Sequence, residues 1–248
     1  MSRWKAAGFH LLISICAATL AACVIYLVWY PPPYFRVAGG SSLMLLIMSV
    51  DVVLGPVLTF AIFKSGKKGL HFDLTVIGIL QVVAFCYGMS VIARARPVFV
   101  VGEVDRFVVV AANSLEDADL ADGKSPQFRS RSWTGPRLVG AVPPSHSDKD
   151  FSATAMSALA GKDIDKIPKF YVPYSQVSAT LLAHSQPIAA TMKKSAQAAA
   201  QVNAFLSKHG GTVADYRTLP LEGRTDTFTM VVSAKTGQPE AALDINPW

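Results

Sequence analysis

Leu43–Phe63, LMLLIMSVDVVLGPVLTFAIF, decides the fold. The stretch holds one charged residue, Asp51, and a Gly55-Pro56 pair four residues on. At about 1.5 Å rise per residue, roughly twenty apolar residues cross the ~30 Å hydrocarbon core of a bilayer. Working outward, Leu11–Tyr30 and Leu74–Ala93 are runs of the same kind on either side. The sequence therefore predicts a membrane protein: three N-terminal transmembrane α-helices (about 11–30, 43–63 and 74–93) in a membrane domain over 1–96, then a soluble α+β domain over 97–248.

The charges divide at the same place. Residues 1–96 carry eight basic and two acidic side chains, and their surplus equals the +6 of the whole chain. Residues 97–248 are balanced, with fifteen of each sign. The basic balance therefore belongs to the flanks of apolar runs and is no sign of nucleic-acid binding. Arg3, Lys5, Lys64, Lys67 and Lys68 fall on one side of the predicted spans; Arg36, Arg94 and Arg96 fall on the other. The positive-inside rule then puts the N-terminus in the cytoplasm and 97–248 outside it, which in a diderm bacterium is the periplasm.

Cys16, Cys23 and Cys86 all lie within the apolar runs, so residues 97–248 have no disulfide framework. Leu20-Ala21-Ala22-Cys23 fits a lipoprotein cleavage box. Yet VIYLVWY follows in place of a polar tether, so a retained span is expected.

Beyond Pro97 the period changes from 3.6 to 2. Val98–Val101, Arg106–Ala111, Arg137–Val142, Tyr216–Leu221, Thr227–Ala234 and Ala241–Ile245 read as strands, and Ile164–Pro173 as extended. Ser114–Ala121, Ser147–Leu159, Ser175–His184 and Ile188–Lys208 read as helices. Strands at both ends with helices between give an α+β order.

Asp51 is the candidate functional residue, because a carboxylate at mid-bilayer costs on the order of 2.5–3.5 kcal/mol. It would face other helices, be protonated or pair with a cation, and it reads as a structural polar group, as a proton relay, or as a residue that recognises a charged group in a partner's helix. Gly55-Pro56 marks a kink or packing notch in the same helix. There is no second acid in a predicted span, no His-Glu-x-x-His and no Gly-rich phosphate loop. His10, His71, His146, His184 and His209 are scattered, and Ser145-His146-Ser147-Asp148 is a polar loop rather than a triad assembled in space. No catalytic, metal or cofactor site is expected.

Several short motifs stand in order along the chain. They are Trp4-Lys5-Ala6, Tyr30-Pro31, Val50-Asp51-Val52-Val53-Leu54-Gly55-Pro56, Phe72-Asp73-Leu74, Ala95-Arg96-Pro97-Val98 and Glu103-Val104-Asp105-Arg106-Phe107, with Ala234-Lys235-Thr236-Gly237 and Pro247-Trp248 at the end. Together they resemble the bacterial type IV pilin accessory proteins of the TfpX/TfpZ family, strongly over 1–110 and again in about the last thirty residues. The resemblance implies a non-enzymatic inner-membrane factor, without cofactor, that works with the major type IV pilin in pilus assembly or in the balance of extension and retraction. Asp51, Gly55 and Pro56 are then candidate contacts for a partner's helix. Two other readings stand beside it: a pilin-modifying membrane enzyme such as a glycosyl transferase, and a membrane sensor with a periplasmic input domain.

Overall fold

A computed structural model describes residues 2–248, apart from the side chains of Leu46, Ile47 and Val50. Helix α1 (Arg3–Cys23) opens on Ser2, whose hydroxyl accepts the Lys5 amide at 3.4 Å. It continues without a break as a π-helical segment, Val24–Trp29, and ends at three consecutive prolines that cannot extend a helix. A short turn, α2 (Tyr34–Val37), leads to α3 (Gly40–Ser49), a π-helical segment (Val50–Leu54) and α4 (Gly55–Ile62). Gly69, at φ 83°, admits the chain to α5 (Leu70–Ala95).

Three corrections to the sequence reading follow. Two helices, Arg3–Trp29 and Leu70–Ala95, of 27 and 26 residues, are long and apolar enough to cross a membrane among the described residues, where three were expected. The middle run departs from a single regular α-helix because of Pro56. Its ring lacks an N–H and crowds the carbonyl four residues back, at Val52, and the widened π turn at 50–54 lies there. The first helix also begins at Arg3 rather than near residue 11, which brings His10 inside it. α3 starts at Gly40, and Asp73 sits in the first turn of α5, paired with Lys67 at 2.5 Å.

The three helical stretches lie side by side. Trp4 of α1 packs at a tilt against Phe60 of α4 with ring centroids 4.6 Å apart, while at the other end Tyr26 meets Phe35 at 5.1 Å. Residues 40–62 thus run back along α1. The Tyr30 hydroxyl donates to the Ile92 carbonyl (3.1 Å), joining the ends of α1 and α5.

The sheet begins where α5 stops. Its strands are β1 (Pro97–Glu103), β2 (Arg106–Ala111), β3 (Arg137–Ala141), β4 (Tyr171–Val172), β5 (Gln186–Pro187), β6 (Tyr216–Glu222), β7 (Thr227–Ser233) and β8 (Pro239–Leu243), and the helices among them are α6 (Asp117–Ala121), α7 (Phe151–Leu159), α8 (Ser178–His184), α9 (Ile188–Met192) and α10 (Ala196–His209). The strand order is β4-β3-β1-β2-β6-β7-β8, with β5 on the free part of β6. β1 with β3 and β2 with β6 are parallel; the other pairs are antiparallel. This is a mixed sheet with helices, consistent with the α+β order.

β1 is central and buried along its whole length. Phe99 and Val101 face one core with Leu120, Phe128, Val139 and Tyr171. Val100 faces another with Phe107, Leu181, Leu219 and Met230. A third core lies under α10, where Ala198, Val202 and Phe205 meet Val231 and Ile245. The expected helix 188–208 is two helices. Lys193–Ser195 breaks it, and the Ser195 hydroxyl caps α10 by accepting the Ala198 amide at 3.0 Å. Residues 164–173 are mostly 3₁₀ turns rather than extended chain.

Candidate functional site

The second run presents Asp51, Gly55, Thr59 and Phe63 on one buried face. Four-residue spacing puts these positions one above another. Asp51 is 8% exposed and Thr59 3%. Across from them stands His10 of α1, whose Nδ1 is 2.6 Å from the Thr59 hydroxyl. Asp51, His10, Ser14, Thr59 and Gln81 line one groove of about 690 Å³ between α1, α4 and α5, otherwise walled by side chains such as Ile13, Leu74 and Phe85.

Side chains of α5 and α1 crowd Gly55. A Cβ there would stand 1.9 Å from the Gln81 amide nitrogen and 3.0 Å from His10 Nε2. The notch is therefore filled from within the chain by α5 and α1. Gly78 is the opposite case: it lines the same groove, and nothing lies within 4 Å of where its Cβ would be. Pro56 sits in the first turn of α4, next to the π segment that carries Asp51. Of the three residues singled out from the sequence, Asp51 and Gly55 share the buried face, and Pro56 is half-buried beside it.

Sequence reasoning missed His10, Thr59 and Gln81. The 51-55-59 repeat was there to be read, but His10 was placed ahead of the first span. Chemically the groove offers a carboxyl, an imidazole, a hydroxyl and an amide inside an apolar wall. Such a setting suits recognition of a polar group carried by an apolar partner.

A second place joins the helices to the sheet. Val37 is fully buried in the core that holds Val100, Phe107 and Leu221. Gly223 makes room for it: a Cβ on Gly223 would meet the Val37 carbonyl at 2.0 Å. Arg96 is 4% exposed, donates to the Ser132 carbonyl at 2.8 Å and lies 3.9 Å from the centre of the Trp133 ring. Arg96, counted from the sequence among the charges flanking the predicted spans, is held by the loop before β3.

Among the described residues no group of three or more His, Cys, Asp or Glu side chains is placed to hold a metal ion. Cys16, Cys23 and Cys86 are free and exposed.

Comparison with known proteins now bears on this arrangement. The family model for "Fimbrial assembly protein FimB" matches residues 1–39. A fimbrial assembly protein of Dichelobacter nodosus, serogroup I, is 32% identical over 245 residues, covering 98% of this chain and 95% of the relative. The serogroup E1 protein is 31% identical over the same length and shares. A third, from serogroups C1 and C2, is 40% identical over 113 residues, 45% of this chain and 86% of the relative. No solved structure matches. Similarity over nearly the whole of both chains, through helices and sheet alike, shows the relationship: the chain belongs to the family of fimbrial assembly proteins.

Proposed function

We propose that this chain is a non-enzymatic inner-membrane accessory factor for type IV pilus biogenesis, acting on the major pilin. The helical part lies in the bilayer, with the basic loop Lys64–Lys68 on the cytoplasmic side and the sheet on the periplasmic side. The names of the relatives support a role in fimbrial assembly, and the resemblance to the TfpX/TfpZ proteins supports the accessory role. A pilin subunit awaiting assembly has an apolar helix in the membrane and a head outside it, and this chain has the matching layout.

One observation carries the reading of the site: a groove with an apolar wall, open at Gly78, into which Asp51 and its polar neighbours are gathered. A pilin helix laid in it would bury its own polar group against Asp51 while its apolar face replaced lipid. Gly78 allows close approach of the two backbones, as small residues do between membrane helices.

The test is co-purification of pilin with the full chain, together with counts of surface pili. Asp51→Asn and Gly78→Leu are each expected to reduce both by severalfold while the protein stays in the membrane at normal levels. If both variants capture pilin and support piliation as the wild type does, the groove is not the contact.

A further inference from the structure

The sheet has a site of its own at the end of β1. Strand alternation puts Phe99, Val101 and Glu103 on one face, so Glu103 follows two core residues into the same buried row. It is 8% exposed, and its Oε2 is out of reach of solvent with no hydrogen-bond partner among the described residues. Buried polar atoms are nearly always partnered, and one that is not calls for an explanation. Glu103 lines a cavity of about 370 Å³ bounded by the β1–β2 turn, Pro143, Pro144 and α7.

The charges around that cavity are mostly of one sign. Asp163 lines it, and Asp165 is buried nearby at 6% exposed. Arg106 lines it too, but its guanidinium is held by Asp105 and Glu222, each at 2.9 Å. Lys162 is engaged by Asp119 at 2.7 Å, and Lys166 donates to the Gly161 carbonyl at 2.7 Å. Tyr171 donates its hydroxyl to the Asp165 carbonyl. No cation of the chain is hydrogen-bonded to Glu103 among the described residues. Apart from Thr154 the remaining wall is apolar, with Phe151, Ala155, Ala158 and Ile164 among its side chains.

We infer that this cavity receives a lysine side chain from a partner polypeptide, its ammonium on Glu103 and its stem along α7. Neither Glu103 oxygen has a hydrogen-bond partner among the described residues, and with Oε2 enclosed only Oε1 is left to meet a ligand; one reachable oxygen suits a compact ammonium better than the planar fork of a guanidinium, which prefers both. An apolar wall of this size covers a four-carbon stem. The site is separate from the groove between the helices and does not depend on what occupies that groove.

Burial, with Asp165, Asp163 and Glu222 nearby and only Arg106 opposing, pushes the Glu103 carboxyl up to about 8. At neutral pH it is therefore largely protonated, and taking up an ammonium releases that proton. Binding must then strengthen as pH rises toward 8, approaching tenfold per unit.

The probe is the peptide acetyl-Gly-Lys-Gly-amide, titrated by NMR into the full chain in detergent micelles at pH 6 and pH 7. Tighter binding at pH 7 by close to tenfold is expected, with no binding of the norleucine peptide, which keeps the stem and lacks the charge. Glu103→Gln should bind weakly and without pH dependence. Ala155→Trp, at an exposed position on the cavity wall, should block the peptide while leaving the thermal midpoint and the Glu103 carboxyl signal in place. Equal binding of the norleucine peptide, equal binding by Glu103→Gln, or no binding at all overturns the inference. Tighter binding of 1,4-diaminobutane than of the lysine peptide overturns the assignment to a polypeptide partner.

Discussion

The helices and the sheet are packed by opposite rules. The sheet buries its large side chains: Phe99, Phe107, Leu219, Leu221 and Met230 are almost wholly enclosed. The helices bury many small and polar ones, among them Ala6, Ser14, Ala18, Ala21, Asp51 and Thr59, keep large buried side chains such as Ile25, Ile77 and Ile92 few, and turn Leu20, Leu27, Ile79, Leu80, Val82 and Val83 outward. In water that second arrangement would leave a large apolar surface bare. In lipid it is ordinary, because small residues let helices approach and the tails outside are as apolar as leucine. The contrast supports a bilayer around the helices on grounds independent of run length.

The strongest way to break the contrast is to place a charge where the two parts meet. Val37→Asp puts an unpaired carboxylate into the sheet's core, at a cost of about 3–5 kcal/mol. Limited proteolysis should then digest residues 97–248 while the helices stay protected. Survival of the sheet would mean that the Val37 segment is not part of its core.

Next comes the sheet's own exception to its rule. Glu103 and Asp165 are buried acids whose carboxyls are raised by that burial to about 8 and about 6. The folded state therefore holds their protons more tightly than the unfolded chain does. Stability from this source is complete below their ordinary range and is lost as pH rises through about 6 and then about 8. Between pH 5 and pH 8 the loss is on the order of 4 kcal/mol. Urea melts of the full chain should show a lower midpoint at pH 8 than at pH 5, and Glu103→Gln should remove most of the difference. A midpoint independent of pH would contradict the burial of these groups.

Val83→Lys tests the outward face of α5, where Val83 is 60% exposed near the helix middle. Against lipid the change costs roughly 2.5–3.5 kcal/mol of insertion. Against water it costs almost nothing. A fall in the membrane-bound fraction is expected, and an unchanged fraction would remove the contrast altogether.

The smallest effect is expected at Arg36 and Asp244, an exposed ion pair 2.7 Å long that links α2 to the chain just beyond β8. Arg36→Ala should change the midpoint by less than about 1 kcal/mol equivalent. A larger change would show that this surface pair, rather than Val37, ties the two parts together.

The helices were readable because twenty apolar residues in a row have few alternatives. The break in the middle run was not, since Pro56 says that a ladder bond is lost without saying how the backbone absorbs it. Val37 sits alone in Arg36-Val37-Ala38-Gly39, with no period to mark it as core. Glu103 was missed because a glycine and a charge after Val101 look like the end of a strand. In fact β1 runs through both, with the side chains of Leu181 and Tyr174 packed close over Gly102. The helix 188–208 read as one because Ala, Gln and Lys are good helix formers throughout, which hid the Ser195 cap. At the groove, the acid was visible from the sequence and its partners were not, because His10, Thr59 and Gln81 are brought together only by packing.

There is no linker between α5 and the sheet. Ala95 ends the helix, Pro97 begins β1, and the single residue between them is clamped by Ser132 and Trp133. With Val37 as a second anchor, the attachment resists both bending and twisting. Force applied to the sheet is thus delivered to the helices as leverage rather than taken up as slack, so a load on one end of the molecule is felt at the other.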